Sequence, residues 1–350
     1  MKFVHLADVH LGAVPDRGYP WSQAREEEIW ESFRRVITGI RENPVDFLFI
    51  SGDLFHRQPL ARELKEVNYL FSTIPQTRVY LIAGNHDYLK KDSPFDRFEW
   101  ESNVFFFKEE ELQCVKDSES DVYIYGLSYQ HQEIAEPLYQ NAGPNHAEGY
   151  HILLAHGGDE KHIPINFRTL SSAGFDYIAL GHIHKPQEII PDKIYYSGAL
   201  EPLDRNDVGI HGYVEGSMLD GKVQAEFVPF AVCCYQDIRI TLDEEYTQIK
   251  LEEIIKNKIR NHGRQHIYRI FLDGFRAPDF MFLTERLKNL GNVIEVIDHT
   301  QLAYDLDALY HRYYGTLIGD YINHFRDAKP DSIEAKALYY GLQALLETSR

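Results

Sequence analysis

Side chains of the kinds that bind metal ions stand just after short apolar runs throughout the first 184 residues. Asp8 follows "FVHLA", Asp53 follows "DFLFISG", and His182 follows "DYIALG". Aspartate, asparagine and histidine without cysteine make an oxygen and nitrogen site of intermediate hardness, which suits manganese, iron or zinc better than calcium. These are too many ligands for one ion. The full set, in chain order, is Asp8, His10, Asp53, Asn85, His86, Asp87, His156, His182 and His184.

The elements that position these side chains are predicted to be buried strands joined by helices. Runs rich in Val, Ile, Leu, Phe and Tyr recur through the first two hundred residues, and the segments "AREEEIWESFRRVITGIRE" and "ARELKEVNYLFSTI" have apolar residues at helical spacing. The order strand, helix, strand, helix, strand indicates an α/β fold with a layered, largely parallel sheet. Ligands bind at the carboxyl ends of the strands in such sheets, which is where the polar residues fall.

Each of these residues also has an ordinary explanation when it is taken alone. An isolated Asp-x-His such as Asp8 and His10 is more often a surface carboxylate and a buried histidine. Asp53 after Gly52 could be a helix N-cap or an Asx turn, and Asn85 could be a turn residue. The conjunction of five strand ends with such residues, the last of them "GHIH", favours a metal site over these alternatives.

The chain is predicted to divide into a large domain, a smaller one and C-terminal helices. The segments "GIHGYVEGSML" and "KVQAEFVPF" flank the turn "DGK" and predict a hairpin that closes the first domain, residues 1–232. Strand-like and helix-like segments alternate again over residues 236–300, which predicts a second, smaller α/β domain. Residues 301–350 read as two helices separated by "KPDS".

Composition and charge limit the class of protein. The 36 Lys and Arg against 54 Asp and Glu give a formal charge of −18, which argues against a coat of non-specific nucleic-acid contacts. The three cysteines, Cys114, Cys233 and Cys234, form no disulfide framework, which suits a reducing cytosol. We read no export signal, lipid anchor or membrane-spanning segment, so a cytoplasmic protein without a membrane partner is expected.

The spaced motifs "DVH", "GDLFH", "GNHD", "LAHG" and "GHIH" resemble those of the calcineurin-like metallophosphoesterases. Within that superfamily the chain resembles the SbcD-type DNA repair exonucleases, particularly their YhaO-like bacterial branch. The resemblance implies a sheet sandwich flanked by helices, with the second α/β domain capping the active-site face. It further implies one divalent ion, most simply manganese, on Asp8, His10, Asp53 and His184, and another on Asp53, Asn85, His156 and His182.

The same resemblance implies the chemistry and its helpers. Water bound between the two metals, with Asp53 as the bridging ligand, would attack a phosphodiester in line. His86 would protonate the leaving group or stabilise charge on the phosphate, and His56 would contact a phosphate oxygen; the alternative for His56 is stacking at a helix entry. Asp87 is expected either to orient His86 or to be a solvated turn residue.

The expected activity is that of a metal-dependent DNA nuclease, exonucleolytic on duplex ends, with endonucleolytic cleavage of single strands as an additional expectation. The alternative is a phosphodiesterase for cyclic or other small nucleotides. Arg17 and Tyr19 in the loop "GAVPDRGYPW", with Arg57 and Lys90, are candidate DNA contacts or simply packed and solvated surface groups. The resemblance to SbcD-type nucleases implies an SbcC-like coiled-coil ATPase partner. It also implies a homodimer through "EIWESFRRVI" and "LARELKEVNYLF", for which core packing is the alternative. The chain has no G-x-x-x-x-G-K-[ST] loop, so any ATP step belongs to another protein.

Overall fold

The computed structural model describes residues 1–144, 148–329 and 332–348. The chain forms two compact units. The first comprises Met1–Asp237 with His262–Tyr268, and the second comprises Ile238–Asn261 with the chain from Arg269 onward. The sequence predicts a first domain of residues 1–232 and a smaller one of residues 236–300, whereas the first unit extends to Asp237 and also takes in His262–Tyr268.

The first unit contains two six-stranded sheets. Its strands are β1 (Lys2–Leu6), β2 (Phe47–Ser51), β3 (Arg78–Ile82), β4 (Val104–Phe106), β5 (Gln113–Lys116), β6 (Val122–Gly126), β7 (Tyr150–His156), β8 (Tyr177–Gly181), β9 (Gln187–Ile190), β10 (Ile194–Tyr196), β11 (Gly212–Leu219) and β12 (Lys222–Pro229). Its helices are α1 (Ser22–Glu42), α2 (Ala61–Ser72) and α3 (Phe167–Ser171).

Parallel pairing dominates the centre of both sheets, as the sequence predicts. The first sheet has the order β12-β11-β1-β2-β3-β4, in which β1 to β4 run parallel. The second has the order β5-β6-β7-β8-β10-β9, in which β6, β7, β8 and β10 run parallel. The predicted hairpin is β11 and β12, and β11 pairs antiparallel with β1. The α/β fold class is therefore confirmed.

Alternation along the strands shows how the layers are built. In β2, Phe47 and Phe49 pack in a buried cluster with side chains of the second sheet such as Ile152 and Leu154, so this face lies between the two sheets. Leu48 and Ile50 point to the opposite face, because successive side chains of a strand alternate. There they join a cluster with Ile29 and Phe33 of α1 and Leu64 and Phe71 of α2. The layered sheet sandwich flanked by helices is thus present.

The second unit is built on a smaller sheet with helices. Strands β13 (Tyr235–Leu242), β14 (Ile267–Arg276) and β15 (Val293–Asp298) form this sheet in that order, and β16 (Gln301–Leu302) pairs with β14. The first residues of β13 and β14 are counted with the first unit. Its helices are α4 (Gln248–His262), α5 (Thr284–Leu287), followed by a 3-10 turn (Lys288–Leu290), then α6 (Leu306–Arg312), α7 (Leu317–His324) and α8 (Ile333–Thr348). Strands and helices alternate here as expected.

The prediction of a single helix before "KPDS" is wrong, because that segment forms two helices, α6 and α7. Helix α6 ends at Arg312 with Tyr313 as its C-cap, and Gly315 in the turn that follows has φ 73°. The Thr316 side chain then accepts from the Gly319 N–H to start α7. The predicted "KPDS" break falls partly outside the described residues. In α8, Leu342 is buried against Ile318 and Ile322 of α7, so its apolar face packs within this unit.

No helix among the described residues combines the length and the apolar character needed to cross a membrane.

Candidate metal centre

Five parallel strands of the first unit carry the candidate ligands at or just beyond their carboxyl ends. Strands β1, β2 and β3 of the first sheet lead into the loops that hold the first group, and β7 and β8 of the second sheet hold the rest. Backbone hydrogen bonds join the loops that follow β1 and β2: the Asp8 N–H donates to Gly52 O at 3.1 Å, and the His10 N–H donates to Asp53 O at 3.0 Å. The two sheets therefore present their ligands to one region.

Four of the candidate ligands have a left-handed backbone, which sequence patterns did not reveal. The φ angles are 50° at Asp8, 52° at His10, 50° at Asp53 and 98° at His182. Residues other than glycine rarely adopt such angles, and they cluster at functional sites where the surrounding structure holds them. Strand β1 ends at Leu6, so the alternation of a strand no longer sets the directions of Asp8 and His10, and these loop φ angles set them instead.

The first predicted ligand set comes together. Ligand atoms of Asp8, His10 and His184 all lie within 4.8 Å of one another. The Nε2 atoms of His10 and His184 are 3.1 Å apart, and His10 Nε2 is 3.8 Å from Asp53 Oδ2. Asp8 and His10 are fully buried, whereas His184 is partly exposed. The residue set offers two carboxylates and two imidazoles.

The second predicted set comes together around the Asn85 side chain. Asn85 Oδ1 lies 3.0 Å from His156 Nε2 and 3.1 Å from His182 Nδ1. His156 Nε2 is also 3.3 Å from Asp53 Oδ2. His156 is held from behind, because its Nδ1–H donates to Ser51 O at 2.8 Å. That contact leaves Nε2 as the nitrogen with a free lone pair for a metal.

Asp53 lies between the two sets. Its Oδ2 atom faces His10 on one side and His156 on the other, and its Oδ1 accepts from the His86 N–H at 2.8 Å. Asp8 also clusters with Asp53 and His156, within the same 4.8 Å limit. A carboxylate placed in this way fits the bridging position between two ions.

Burial and charge show that the residues fit divalent cations. Burial, together with the nearby negative charge of Asp53, raises the pKa of Asp8 to about 6. Burial also opposes ionisation of Asp53, but the attraction and hydrogen bond of His156, with His10, hold its pKa far below the usual range. Two carboxylates this deep in a protein need compensating positive charge, which metal ions supply in this mix of oxygen and nitrogen donors.

The histidines of the site have pKa values pushed in opposite directions. Burial lowers the pKa of His182 to about 4, with help from the positive charge of His156. Burial works against His156 and His184 as well, but negative neighbours outweigh it and raise both values to about 9; Asp53 acts on His156, and Asp207 and Asp8 act on His184. Metals compete with protons for such nitrogens, so metal binding at neutral pH displaces protons.

His86 and His56 lie beside the clustered ligands. The His86 ring is 4.8 Å from the His10 ring, centroid to centroid, and stacks on His56 at 5.1 Å. His86 Nδ1 lies 3.1 Å from His56 O, and since a carbonyl can only accept, Nδ1 is the donor and Nε2 is the nitrogen that can pass a proton. His56 Nδ1 lies 3.3 Å from His10 Nδ1. Both rings are partly exposed, as groups that meet a substrate must be.

Asp87 does not touch His86, which corrects one expectation. Its carboxylate is fully buried and accepts from the N–H groups of Phe55, at 3.0 Å, and Gly84, at 2.7 Å. It is therefore neither an orienting partner of His86 nor a solvated turn residue. Instead it joins the loops after β2 and β3, which places it as a support for the backbone that carries Asp53 and Asn85.

Two carboxylates beside the site were missed by sequence reasoning. Asp159 Oδ2 lies 2.7 Å from His182 Nε2, and Asp207 Oδ2 lies 3.1 Å from His184 Nδ1. Asp159 could have been noticed, because it comes three residues after His156 in "HGGDEKH". Asp207 lies in the loop between β10 and β11, and nothing in its local sequence marks it.

The four candidate DNA contacts have different surroundings. Arg17 and Lys90 are exposed, and Tyr19 is 39% exposed and stacks on Trp21 with ring centroids 4.8 Å apart. Arg57 is paired: its two terminal nitrogens donate to the two carboxylate oxygens of Glu63 at 2.8 and 2.9 Å. This bidentate pair occupies the face of the guanidinium that a phosphate would use.

Comparison with known proteins places these residues in a family context. The model of the calcineurin-like phosphoesterase family matches residues 1–186. The metallophosphoesterase YhaO of Bacillus subtilis is similar at 27% identity over 304 residues, which are 80% of this chain and 73% of that protein. The DNA double-strand break repair protein Mre11 is similar at 31% identity in Methanocaldococcus jannaschii, covering 59% of this chain, and at 25% in Archaeoglobus fulgidus, covering 80%. The alignments span 58% and 66% of those two Mre11 proteins.

Proposed function

We propose a specific activity for this chain, which belongs to the calcineurin-like phosphoesterase family: it is a dinuclear-metal-dependent DNA nuclease. The position of Asp53 Oδ2 between His10 and His156 carries the proposal, because it supports two adjacent metal sites that share one carboxylate. When bound, two such ions supply water of lowered pKa and polarise the phosphate for in-line attack. Manganese is the expected metal, with iron and zinc as the alternatives.

The residues of this chain would bind the two ions, donate a proton and contact the phosphate. Asp8, His10, Asp53 and His184 would hold one ion, and a second set would hold the other, namely Asp53, Asn85, His156 and His182. His86 as an imidazolium would give its Nε2 proton to the departing sugar oxygen and become neutral, while its Nδ1–H stays bonded to the His56 carbonyl. His56, stacked on His86, would contact a phosphate oxygen.

DNA is the substrate that the relatives favour. Two of the similar proteins are named for DNA double-strand break repair, and their similarity extends over more than half of this chain. Exposed Arg17, Tyr19 and Lys90 would contact the strand, whereas Arg57 is left out because Glu63 holds it. The chain has a formal charge of −18, which opposes binding to the DNA phosphates. We therefore propose that an SbcC-like ATPase partner supplies part of the DNA affinity.

A homodimer is the last element of the proposal. Of the two candidate surfaces, α1 buries Ile29, Phe33 and Ile37 in the core, so it has little apolar surface to offer. Helix α2 leaves Tyr69 68% exposed and follows Leu60, which is 45% exposed. Light scattering across a range of concentrations would test the dimer, and a monomer mass throughout would rule it out.

The activity is tested by offering two substrates side by side. The purified protein is incubated with end-labelled linear duplex DNA and with bis(p-nitrophenyl) phosphate, each with Mn²⁺ and with chelator. Metal-dependent shortening of the duplex is the expected result. Hydrolysis of the small ester with intact DNA, persisting after an SbcC-like ATPase is added, would favour a small-nucleotide phosphodiesterase and contradict the proposal.

Replacing His86 by Ala should reduce DNA cleavage by about 10²–10⁴-fold, the usual contribution of a general acid. The same variant should lose much less activity on bis(p-nitrophenyl) phosphate, because nitrophenolate departs without a proton. Mn²⁺ binding should be unchanged, since His86 is not among the proposed ligands. His131→Ala is the matched control, because His131 is exposed and its ring pairs with Glu110, at 2.9 Å, away from the proposed ligands. Equal losses on the two substrates would contradict the acid role.

Metal addition should raise the melting temperature of the protein. A ligand that binds only the folded state stabilises it by about 2.7 kcal/mol at a concentration about one hundred times its Kd. Thermal unfolding with chelator and with Mn²⁺ should therefore differ by several degrees. Mg²⁺, which prefers an all-oxygen shell, should give a smaller shift. Identical melting temperatures with Mn²⁺ and chelator would count against the metal centre.

A further inference from the structure

We propose that Asp159 and Asp207 are positioning residues, each of which fixes one histidine of the "GHIH" motif so that its opposite ring nitrogen faces a different metal ion. This inference rests on the dinuclear centre of the proposed function and adds to it two carboxylates outside the family motifs. A metal-binding histidine commonly gives its second ring N–H to a carboxylate, which fixes the ring and raises its basicity.

His182 is oriented by Asp159. Its Nε2 lies 2.7 Å from Asp159 Oδ2, and its Nδ1 lies 3.1 Å from Asn85 Oδ1. A neutral imidazole has one N–H, and an ionised carboxylate only accepts, so the proton sits on Nε2. Nδ1 then carries the lone pair toward the ligand set that contains Asn85 and His156. The φ of 98° at His182 is a strained conformation for a residue with a side chain, so contacts such as this one must hold the residue in place.

His184 is oriented by Asp207 with the opposite nitrogen. Its Nδ1 lies 3.1 Å from Asp207 Oδ2, and its Nε2 lies 3.1 Å from His10 Nε2. By the same argument the proton sits on Nδ1, and Nε2 carries the lone pair toward His10 and Asp8. Two histidines only two residues apart thus serve different ions through different nitrogens, and the sequence motif alone does not encode which nitrogen is used.

Both carboxylates are held in place by backbone donors. Asp159 Oδ1 accepts from the N–H groups of Lys161, at 2.7 Å, and His162, at 3.0 Å. Asp207 Oδ2 accepts from the Leu203 N–H at 2.9 Å. The Asp159 side chain is 45% exposed and the Asp207 side chain 13%, so solvent weakens the first contact more. Replacing Asp207 should therefore weaken metal binding more than replacing Asp159.

The test measures ion binding rather than catalysis. Mn²⁺ is titrated into the metal-free protein, with calorimetry for stoichiometry and affinity and with electron paramagnetic resonance to distinguish isolated ions from coupled pairs. Asp207→Asn and Asp159→Asn remove each charge at constant size, and the amide can donate to the ring and favour the wrong tautomer. Each single variant should keep one ion at wild-type affinity and bind the other about 10–100-fold more weakly.

The double variant decides whether the two carboxylates serve different ions. It should bind neither ion at wild-type affinity, and its spectrum should show no coupled pair at metal concentrations that saturate the wild type. Asp204→Asn and Glu160→Gln, exposed carboxylates close by in the same loops, are matched controls that should behave as wild type. A melting temperature of the metal-free variants equal to that of wild type shows that folding is intact.

Several outcomes would overturn the inference. Single variants that bind both ions with wild-type affinity, or a double variant that keeps one ion tightly bound, would each do so, as would metal-free variants that melt well below wild type. Wild-type protein that binds fewer than two ions would remove both this inference and the proposed function. Two tightly bound ions without DNA cleavage would contradict the proposed function alone and leave the positioning roles supported by the titration.

Discussion

Replacing Asp53 by Asn is expected to abolish metal-dependent hydrolysis. The substitution removes the one carboxylate that faces both ligand sets, at 3.3 Å from His156 Nε2 and 3.8 Å from His10 Nε2. Since metal polarisation of a phosphoryl oxygen is worth several kcal/mol, the loss should be at least about 10³-fold. Turnover of duplex DNA and of a nitrophenyl ester should fall together, because both depend on the same ions.

The metal-free Asp53→Asn protein should remain folded. Asparagine tolerates the φ of 50° at this position, and a neutral amide avoids the repulsion between two buried carboxylates. Asp220→Asn is the matched control: it makes the same chemical change at the same φ of 50°, in the exposed turn of the β11–β12 hairpin. Full activity of Asp53→Asn, or an equal loss in Asp220→Asn, would contradict the bridging role.

Replacing Gly181 by Ala is expected to distort the metal centre and destabilise the first unit. Gly181 is the last residue of β8, and a Cβ there would collide with Ser51 O and come within 2.8 Å of His156 Nδ1 and 2.9 Å of Ala7 Cβ. The collision is with the backbone, which cannot move aside cheaply. Overpacking of this kind typically costs about 1–3 kcal/mol. Shifting Ser51 also breaks the contact that fixes the tautomer of His156.

Thermal unfolding and Mn²⁺ titration of Gly181→Ala should both show the damage. Gly39→Ala provides the contrast, because Gly39 lies on the exposed side of α1 with no atom within 4 Å of the added Cβ. Alanine is favoured over glycine in a helix by about 1 kcal/mol, so this control should be slightly more stable than wild type. If Gly181→Ala kept wild-type stability and metal affinity, the expected collision would be contradicted, because the loops after β1, β2 and β7 would then have moved to accommodate the added Cβ.

Much of the fold could be predicted from the sequence because its signals are periodic. Apolar runs separated by helices indicate parallel strands, and parallel strands place their carboxyl ends at one edge. That reasoning places Asp8, Asp53 and His182 together without knowledge of their contacts. The break between α6 and α7 escaped it, because the apolar residues keep their helical spacing across the turn of residues 313–316.

The finer roles at the site depended on contacts that spacing does not record. Asp87 stands next to His86 in sequence, yet its carboxylate points to backbone donors of two loops. Asp207 reaches His184 across 23 positions of chain, from a loop without a motif. Arg57 was a candidate DNA contact, but Glu63 in the first turn of α2 binds its guanidinium group. Tertiary placement, which no local pattern reports, decides each of these roles.

The donation of the His182 N–H to both Asp8 oxygens, at 2.9 and 3.0 Å, closes a span of 174 positions. Closing so long a loop costs chain entropy that must be met before the contact forms. A nascent chain that had emerged only through the loop after β3 would carry Asp8, His10, Asp53 and Asn85 but no histidine from the second sheet. The proposed ligand sets are therefore incomplete until the loop after β8 has been synthesised, and that shorter nascent chain lacks His156, His182 and His184.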